Sequence, residues 1–340
     1  MAAANLESVG VPNTEVVLVG FVLLVFTSRI CVESTMTALR VFLCLGSLLL
    51  ASVGVWEPRV SSSVYLAQLK TAPPQSGTGI QGVQPTKATG FVRHVDVATF
   101  PNEFHGEIIA GPNSGAESCY LIYTRVPPGV HGPALHTHSV DQFYFVLSGT
   151  MNVQLGEDKF VVGPETLVFI PAGTPHMNWN SGSVSETHLE IIVPPAPLES
   201  LAKPAFPRKV PNAKEYIRRV KREPLQGQGF AAQWLARQST GSKHAAVRQD
   251  ELQQGSGSTG LHFNAFDQFF FVTNGKMNVE LGFRHLQAGA NTLVLVPAGM
   301  VHRIWNDGPA VERHITILVP EREPLEKFEY PVESFQEQAR

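Results

Sequence analysis

Cysteine is scarce: the 340 residues hold three, and Cys31 and Cys44 lie in an apolar N-terminal region, leaving only Cys119 in the body. One thiol cannot close an internal disulfide, and no CxxC pair supplies zinc or redox spacing. The body also carries no Asn-x-Ser/Thr sequon, so nothing marks it as a secreted disulfide scaffold. Charge is sparse as well, at 16% of residues with a net −3 and no polybasic run. That excludes the electrostatic footprint of a nucleic-acid binder. A continuous βαβ alternation is missing, which disfavours a Rossmann-like sheet. What is present is 43% hydrophobic residues, enough for a sizeable globular core and too many for a disordered chain.

The N-terminus is apolar without being clearly membrane-spanning. Its first run, Val16 to Phe26, is too short to cross a bilayer comfortably. A second run, Val41 to Trp56, follows Met36 and Arg40 and reads like a signal peptide, with Ser52 and Gly54 near a cleavage point. An uncleaved anchor, an organelle presequence, or a true start at Met36 are the other readings. If residues 36–56 act as a signal, the protein is secreted, periplasmic or membrane-anchored; otherwise it is cytoplasmic. Membrane association would run through residues 16–56. From about Glu57 to Lys87, Pro73, Pro74 and several Ser and Gly indicate a linker.

The rest of the chain repeats itself. LHTHSVDQFYFVLSGTMNVQLG, from Leu135 to Gly156, returns as LHFNAFDQFFFVTNGKMNVELG, from Leu261 to Gly282. VFIPAGTPHMNWNSG, from Val168, returns as VLVPAGMVHRIWNDG, from Val294. The offset is a constant 126 residues, with no gap as far as Pro194 and Pro320. The body is therefore one domain duplicated. We expect a targeting segment and linker at 1–87, a first domain at 88–200, a second at 201–332 and a tail at 333–340. A connector rich in Pro and Lys joins the copies near Pro194 to Lys214.

Each copy reads as all-β. Apolar runs at Tyr120–Val126, Phe143–Leu147, Met151–Leu155, Phe160–Val162, Leu167–Ile170 and Leu189–Val193 are divided by Gly, Pro, Asn and Asp. Gly156-Glu157-Asp158 sits where a hairpin should turn. Strands this short and numerous favour a sandwich or small barrel, with helix only in connectors such as Ala213 to Arg222.

Period two then makes a chemical prediction. His136, His138 and Gln142 share a strand face, with Tyr144 and Val146 continuing it, while Phe143 and Phe145 take the other. His176 follows the Pro171-Ala172-Gly173 turn. If the two hairpins face each other, three imidazoles and an amide converge, a donor set suited to a divalent transition ion. An isolated HxH is common on surface strands; the Gln142 and His176 spacings and the duplication outweigh that reading. Asp141 has the wrong parity to replace Gln142. Tyr144 is a candidate to orient a substrate, with core packing as the equal alternative. His188 and His314 are read as solvated strand residues, with facing the pocket beside Glu190 as the alternative, Asn180 and Asn306 as turn-satisfying groups, and Phe269, Phe270 and Phe271 as packing.

These spacings resemble the two cupin motifs. His136-Thr137-His138, three residues, Gln142, six residues and Gly149 match the first. Gly163, Pro171-Ala172-Gly173, two residues, His176, three residues and Asn180 match the second. Gln142 stands where the family usually has Glu, and the Gly163–Pro171 gap exceeds the shortest family form. The resemblance covers about residues 88–332 and implies two tandem jelly-roll β-barrels, a bicupin similar to quercetin-dioxygenase-like cupins. In the second copy Asn264 replaces one motif histidine, so His262, Gln268 and His302 are expected to form at most a weak metal site.

The resemblance implies a divalent transition metal in the first barrel, with Fe placed first and Mn, Ni, Zn and Co as alternatives. The leading expectation is an O2-using dioxygenase acting on a small organic molecule. The first alternative is a non-oxidative isomerase, cyclase or decarboxylase using the ion as a Lewis acid. A second is a non-catalytic binding or storage protein. Homo-oligomerisation is expected from the habits of bicupins.

Overall fold

The computed structural model describes residues 83–84, 90–222, 229–258, 260–320 and 329–332. All of them belong to one compact unit. The expected targeting and membrane segment, residues 16–56, and the tail at 333–340 lie outside the described residues. Among the described residues, no helix is long and apolar enough to cross a membrane.

The expected strands form. Tyr120–Val126 and Met151–Leu155 have the expected limits, and the other runs lengthen into Asp141–Ser148, Asp158–Val162, Thr166–Ile170 and Glu186–Val193. Gly156 turns the hairpin between Met151–Leu155 and Asp158–Val162 with φ of 64°. Gly149, at φ 71°, makes the corner between Asp141–Ser148 and Met151–Leu155, which belong to different sheets, and a Cβ there would lie 2.5 Å from the Ser185 carbonyl oxygen. Only glycine fits that corner.

Each repeat builds two facing sheets, a jelly-roll barrel. In the first barrel the larger sheet runs His105–Ala110, Tyr120–Val126, Glu186–Val193, Asp141–Ser148, Thr166–Ile170, with Val83–Gln84 at one edge. The smaller runs Lys203–Pro204, His136–Thr137, His176–Trp179, Met151–Leu155, Asp158–Val162. The second barrel repeats this plan with six strands in each sheet: one centres on Glu312–Val319 and Asp267–Asn274, and the other on His302–Asn306.

The outer edges are exchanged. Val92–His94, at the start of the first repeat, pairs with Thr292–Val296 of the second barrel. Ile217–Arg219, at the start of the second repeat, pairs with Thr166–Ile170 of the first. A division at 200/201 therefore cuts across both sheets. The helix expected over Ala213 to Arg222 is a correction: one 3₁₀ turn, Ala213–Tyr216, gives way to the strand Ile217–Arg219. The open edge of Thr166–Ile170 and the β-branched Ile217 decide this, since tertiary pairing overrides local preference.

An arginine pins each exchanged strand. Arg93 donates to the carbonyls of Gly90, Ile109 and Ser114 and to Ser114 Oγ. Arg218 does the same at Glu215, Leu235 and Thr240, with bonds of 2.7–3.0 Å. Between the barrels lies a shared core in which Phe143, Phe145, Phe269 and Phe271 are at most 1% exposed. Burying each such ring is worth about 1.5–3 kcal/mol. The face opposite Phe143 and Phe145 thus points into the first barrel, where Tyr144 and Val146 pack with Met151, Val153 and Leu155.

Candidate metal centre

The first barrel gathers the expected donors. His136 stands on a short strand paired with His176, one residue directly opposite the other. His138 and Gln142 follow on the same chain segment. Imidazole nitrogens of His136, His138 and His176 all lie within 4.8 Å of one another, and the three rings have centroid separations of 4.3–4.9 Å. An ion about 2 Å from each nitrogen spans that spacing with small side-chain adjustment. All four residues are buried.

Hydrogen bonding fixes which atoms face the centre. His136 Nδ1 donates to the Ala134 carbonyl at 2.7 Å and His176 Nδ1 to the Thr174 carbonyl at 2.9 Å. A neutral imidazole with Nδ1 protonated presents Nε2 as a lone pair. Nε2 of His176, both ring nitrogens of His138 and Oε1 of Gln142 are buried without a hydrogen-bond partner. Orphaned buried polar atoms are costly and rare. Such atoms on Gln142 and on two of the three clustered imidazoles are the signature of a site for a cation, and the donors present fit a divalent metal.

Their electrostatics agree. Burial, then the neighbouring His136, pushes His138 down to about 4. Burial and the other two imidazoles hold His176 well below the usual range, and burial also lowers His136. At neutral pH all three are uncharged, as a metal requires.

Gln142 has an orienting partner in Glu190, which parity alone offers only as an alternative to solvent. Its Nε2 donates to Glu190 Oε2 at 3.0 Å, which fixes the amide, because a carboxylate only accepts. Glu190 also accepts from Thr124 Oγ1 at 3.0 Å and faces His188 Nε2 at 3.3 Å. His188 Nδ1 bonds Glu186 at 3.0 Å. Expected as a solvated residue, His188 is instead fully buried, and His314 of the second barrel nearly so. Burial pushes His188 down, but Glu186 and Glu190 more than offset this, and it is raised to about 9. Burial pushes Glu190 up, and the hydrogen bond and charge of His188 overcome it, leaving Glu190 below its ordinary value. Parity puts residues 186, 188 and 190 on one strand face, but only the pairing with Asp141–Ser148 turns that face inward.

Tyr144 is buried with its ring 4.9 Å from His188 and 6.4 Å from His176, forming the floor under the donors. Asn180 satisfies the turn, as expected: its Nδ2 donates to the Val126 and Val184 carbonyls.

The second barrel places His262, Asn264, Gln268 and His302 in the same positions but joins the last three to each other. The Asn264 amide bonds the Gln268 side chain, and His302 Nε2 lies 3.2 Å from Gln268 Oε1. The carboxylate has changed strands, because Asp250 and Thr316 occupy the places of Thr124 and Glu190 and bond each other. Gln268 therefore has no Glu190 equivalent holding its amide outward. Among the described residues, the His136–His138–His176 group is the one cluster of three candidate ligands.

Two segments of the chain, 122–193 and 249–317, match the cupin domain family. Comparison with curated protein sequences returns no match. Among solved structures the chain is similar to oxalate decarboxylase of Bacillus subtilis. A form described for its Mn(II) centres shares 15% identity, a TM-score of 0.54, and covers 70% of this chain and 79% of that one. A tryptophan-to-tyrosine variant gives 14% identity, a TM-score of 0.54 and coverage of 69% and 78%. The enzyme at pH 4.6 gives 15%, 0.53, 69% and 78%. At such identity the likeness speaks for the fold. With two cupin-domain matches on a duplicated sequence and two facing-sheet barrels, the chain has the bicupin fold, and its first barrel holds a neutral cluster of three imidazoles able to take a metal ion.

Proposed function

We propose that this protein is a metal-dependent decarboxylase, working without net oxidation on a small carboxylate in the first barrel. His136, His138, Gln142 and His176 are the ligands in this reading, and Mn(II), the ion named for the similar B. subtilis enzyme, takes precedence over Fe. All four donors are neutral, so a bound divalent ion keeps its full charge, attracts an anionic substrate and polarises its oxygen. The observation that carries the non-oxidative reading is the buried Glu190–His188–Glu186 chain beside Gln142. Loss of CO2 leaves the bonding electron pair on carbon, and that carbon needs a proton. His188, raised to about 9, holds one at neutral pH, and Glu190 lies between it and the donors. The apolar interior formed by Tyr144, Val146, Met151 and Val153 excludes bulk water.

The test is to follow CO2 and O2 together while the Mn(II)-loaded protein meets oxalate and a panel of small 2-oxo and dicarboxylic acids. We expect CO2 release with no net O2 uptake, loss of turnover in His176→Ala, and a lower kcat in Glu190→Gln. O2 consumed in step with substrate would overturn this reading and restore the dioxygenase expectation.

A further inference from the structure

We propose that His244, supplied by the second repeat, is a positioning residue for the donor set of the first barrel. This rests on the metal-site reading above and adds a residue outside that barrel to it.

The chain of contacts is short. The turn Pro171-Ala172-Gly173 delivers His176, and two of its successive amides are tied to the strand segment carrying the other donors. Gly173 N donates to the His138 carbonyl at 2.7 Å, and Ala172 N donates to Asp141 Oδ1 at 2.9 Å. Asp141 is the residue before Gln142 and is buried. Its second oxygen, Oδ2, accepts from His244 Nδ1 at 2.9 Å, across 103 positions of chain. One carboxylate thus joins three things: the turn before His176, the backbone at Gln142, and the neighbouring barrel.

The mirror-related position is a built-in comparison. In the second barrel Asp267 Oδ1 accepts from Ala298 N at 3.0 Å, and Gly299 N donates to the Asn264 carbonyl. There Asp267 Oδ2 accepts from Ser118 Oγ at 2.6 Å, so a hydroxyl of the first repeat stands where the second repeat offers an imidazole. Both barrels are braced from across the interface, but only the brace on the donor-bearing barrel is a histidine. A freed Asp141 carboxylate would rotate toward water, since a buried acceptor without its donor is costly. The Ala172 anchor would go with it, and the turn carrying His176 would loosen. His244 side-chain exposure of 45% means that removing the ring leaves no sealed cavity, so the barrel itself should survive.

The experiment compares Mn(II) affinity and the Mn(II) electron paramagnetic resonance spectrum in the full chain, His244→Ala, His244→Asn and Ser118→Ala. Asn places an amide nitrogen where Nδ1 was and should restore the bond. We expect His244→Ala to weaken Mn(II) binding about tenfold, the low end for losing a ligand's supporting partner, and to broaden the spectrum. His244→Asn should recover most of the affinity, and Ser118→Ala should leave it unchanged. Equal affinity and spectrum in His244→Ala and the parent chain, or an equal loss in Ser118→Ala, would overturn the inference while leaving the metal site intact. A parent chain that takes up no Mn(II) would overturn both, and that result is read before any variant is compared.

Discussion

Removing His176 separates metal binding from folding more cleanly than any other change at the site. The side chain is fully buried, and its Nε2 has no partner within the protein. Truncation to alanine creates a cavity, which for a large buried side chain costs about 2–5 kcal/mol. The same truncation removes an orphaned buried acceptor whose burial costs about 1–3 kcal/mol. These two effects oppose, and loss of the Nδ1 bond to the Thr174 carbonyl adds about 1 kcal/mol, so the metal-free His176→Ala protein should lose about 2–3 kcal/mol. The metal-loaded comparison differs in kind. A ligand at a hundred times its dissociation constant stabilises the folded state by about 2.7 kcal/mol, or about 4–5 °C in Tm for a chain of this length. Calorimetric scans with and without Mn(II) should show that rise in the parent chain and none in the variant. Elemental analysis should fall from about one ion per chain to nearly none. A variant that keeps the Mn(II)-dependent shift would refute the argument, because the imidazole at the centre of the cluster would not be a ligand.

Three further outcomes follow from the geometry. Asn264→His supplies the second barrel with a third imidazole and breaks the Asn264–Gln268 bond, so metal content should rise toward two ions per chain; elemental analysis decides. Arg218→Ala strips four hydrogen bonds from the exchanged strand and leaves carbonyls at Glu215, Leu235 and Thr240 without their donor, costing about 3–5 kcal/mol in urea titration. The metal-free protein should be most stable near pH 6.5. His302, lowered to about 4 chiefly by burial, binds a proton more readily when unfolded, so its contribution is lost as pH falls from 6.5 toward 4. Burial lowers His314, but Glu312 and Asp250 raise it to about 9, so its contribution is lost as pH rises from 6.5 through 9. His302→Gln should make the acid limb shallower, since His138 and His176 share it, and His314→Gln the alkaline one, which His188 shares, in chemical denaturation across pH.

Legibility divides along a physical line. The donors were legible because a strand alternates faces: His136, His138, Gln142 and Tyr144 could be placed on one side by counting, and the duplicate showed that the spacing was no accident. The partners of those donors were not. Gln142 meets Glu190 because the strands that carry them pair in the larger sheet, and nothing local signals that pairing. For His188 the buried alternative holds and the solvated one does not, since a strand residue of either parity faces solvent or core according to which sheet covers it. The helix expected over Ala213 to Arg222 failed because an unpaired edge on the other repeat offered Ile217–Arg219 a ladder of hydrogen bonds that its own sequence does not contain.

The amino-acid sequence by itself determined the duplication, the all-β character, the face on which the candidate ligands lie and the loss of one imidazole at Asn264. Each of these is a short-range or self-similar property, readable from residue type and period. Only the tertiary structure decided that the repeats exchange their edge strands, that Glu190 and His188 stand behind Gln142, and that His244 reaches Asp141 from the opposite barrel. Those contacts join residues 48 to 103 positions apart or strands of different sheets, and they exist because burying the shared aromatic face forces the two barrels together.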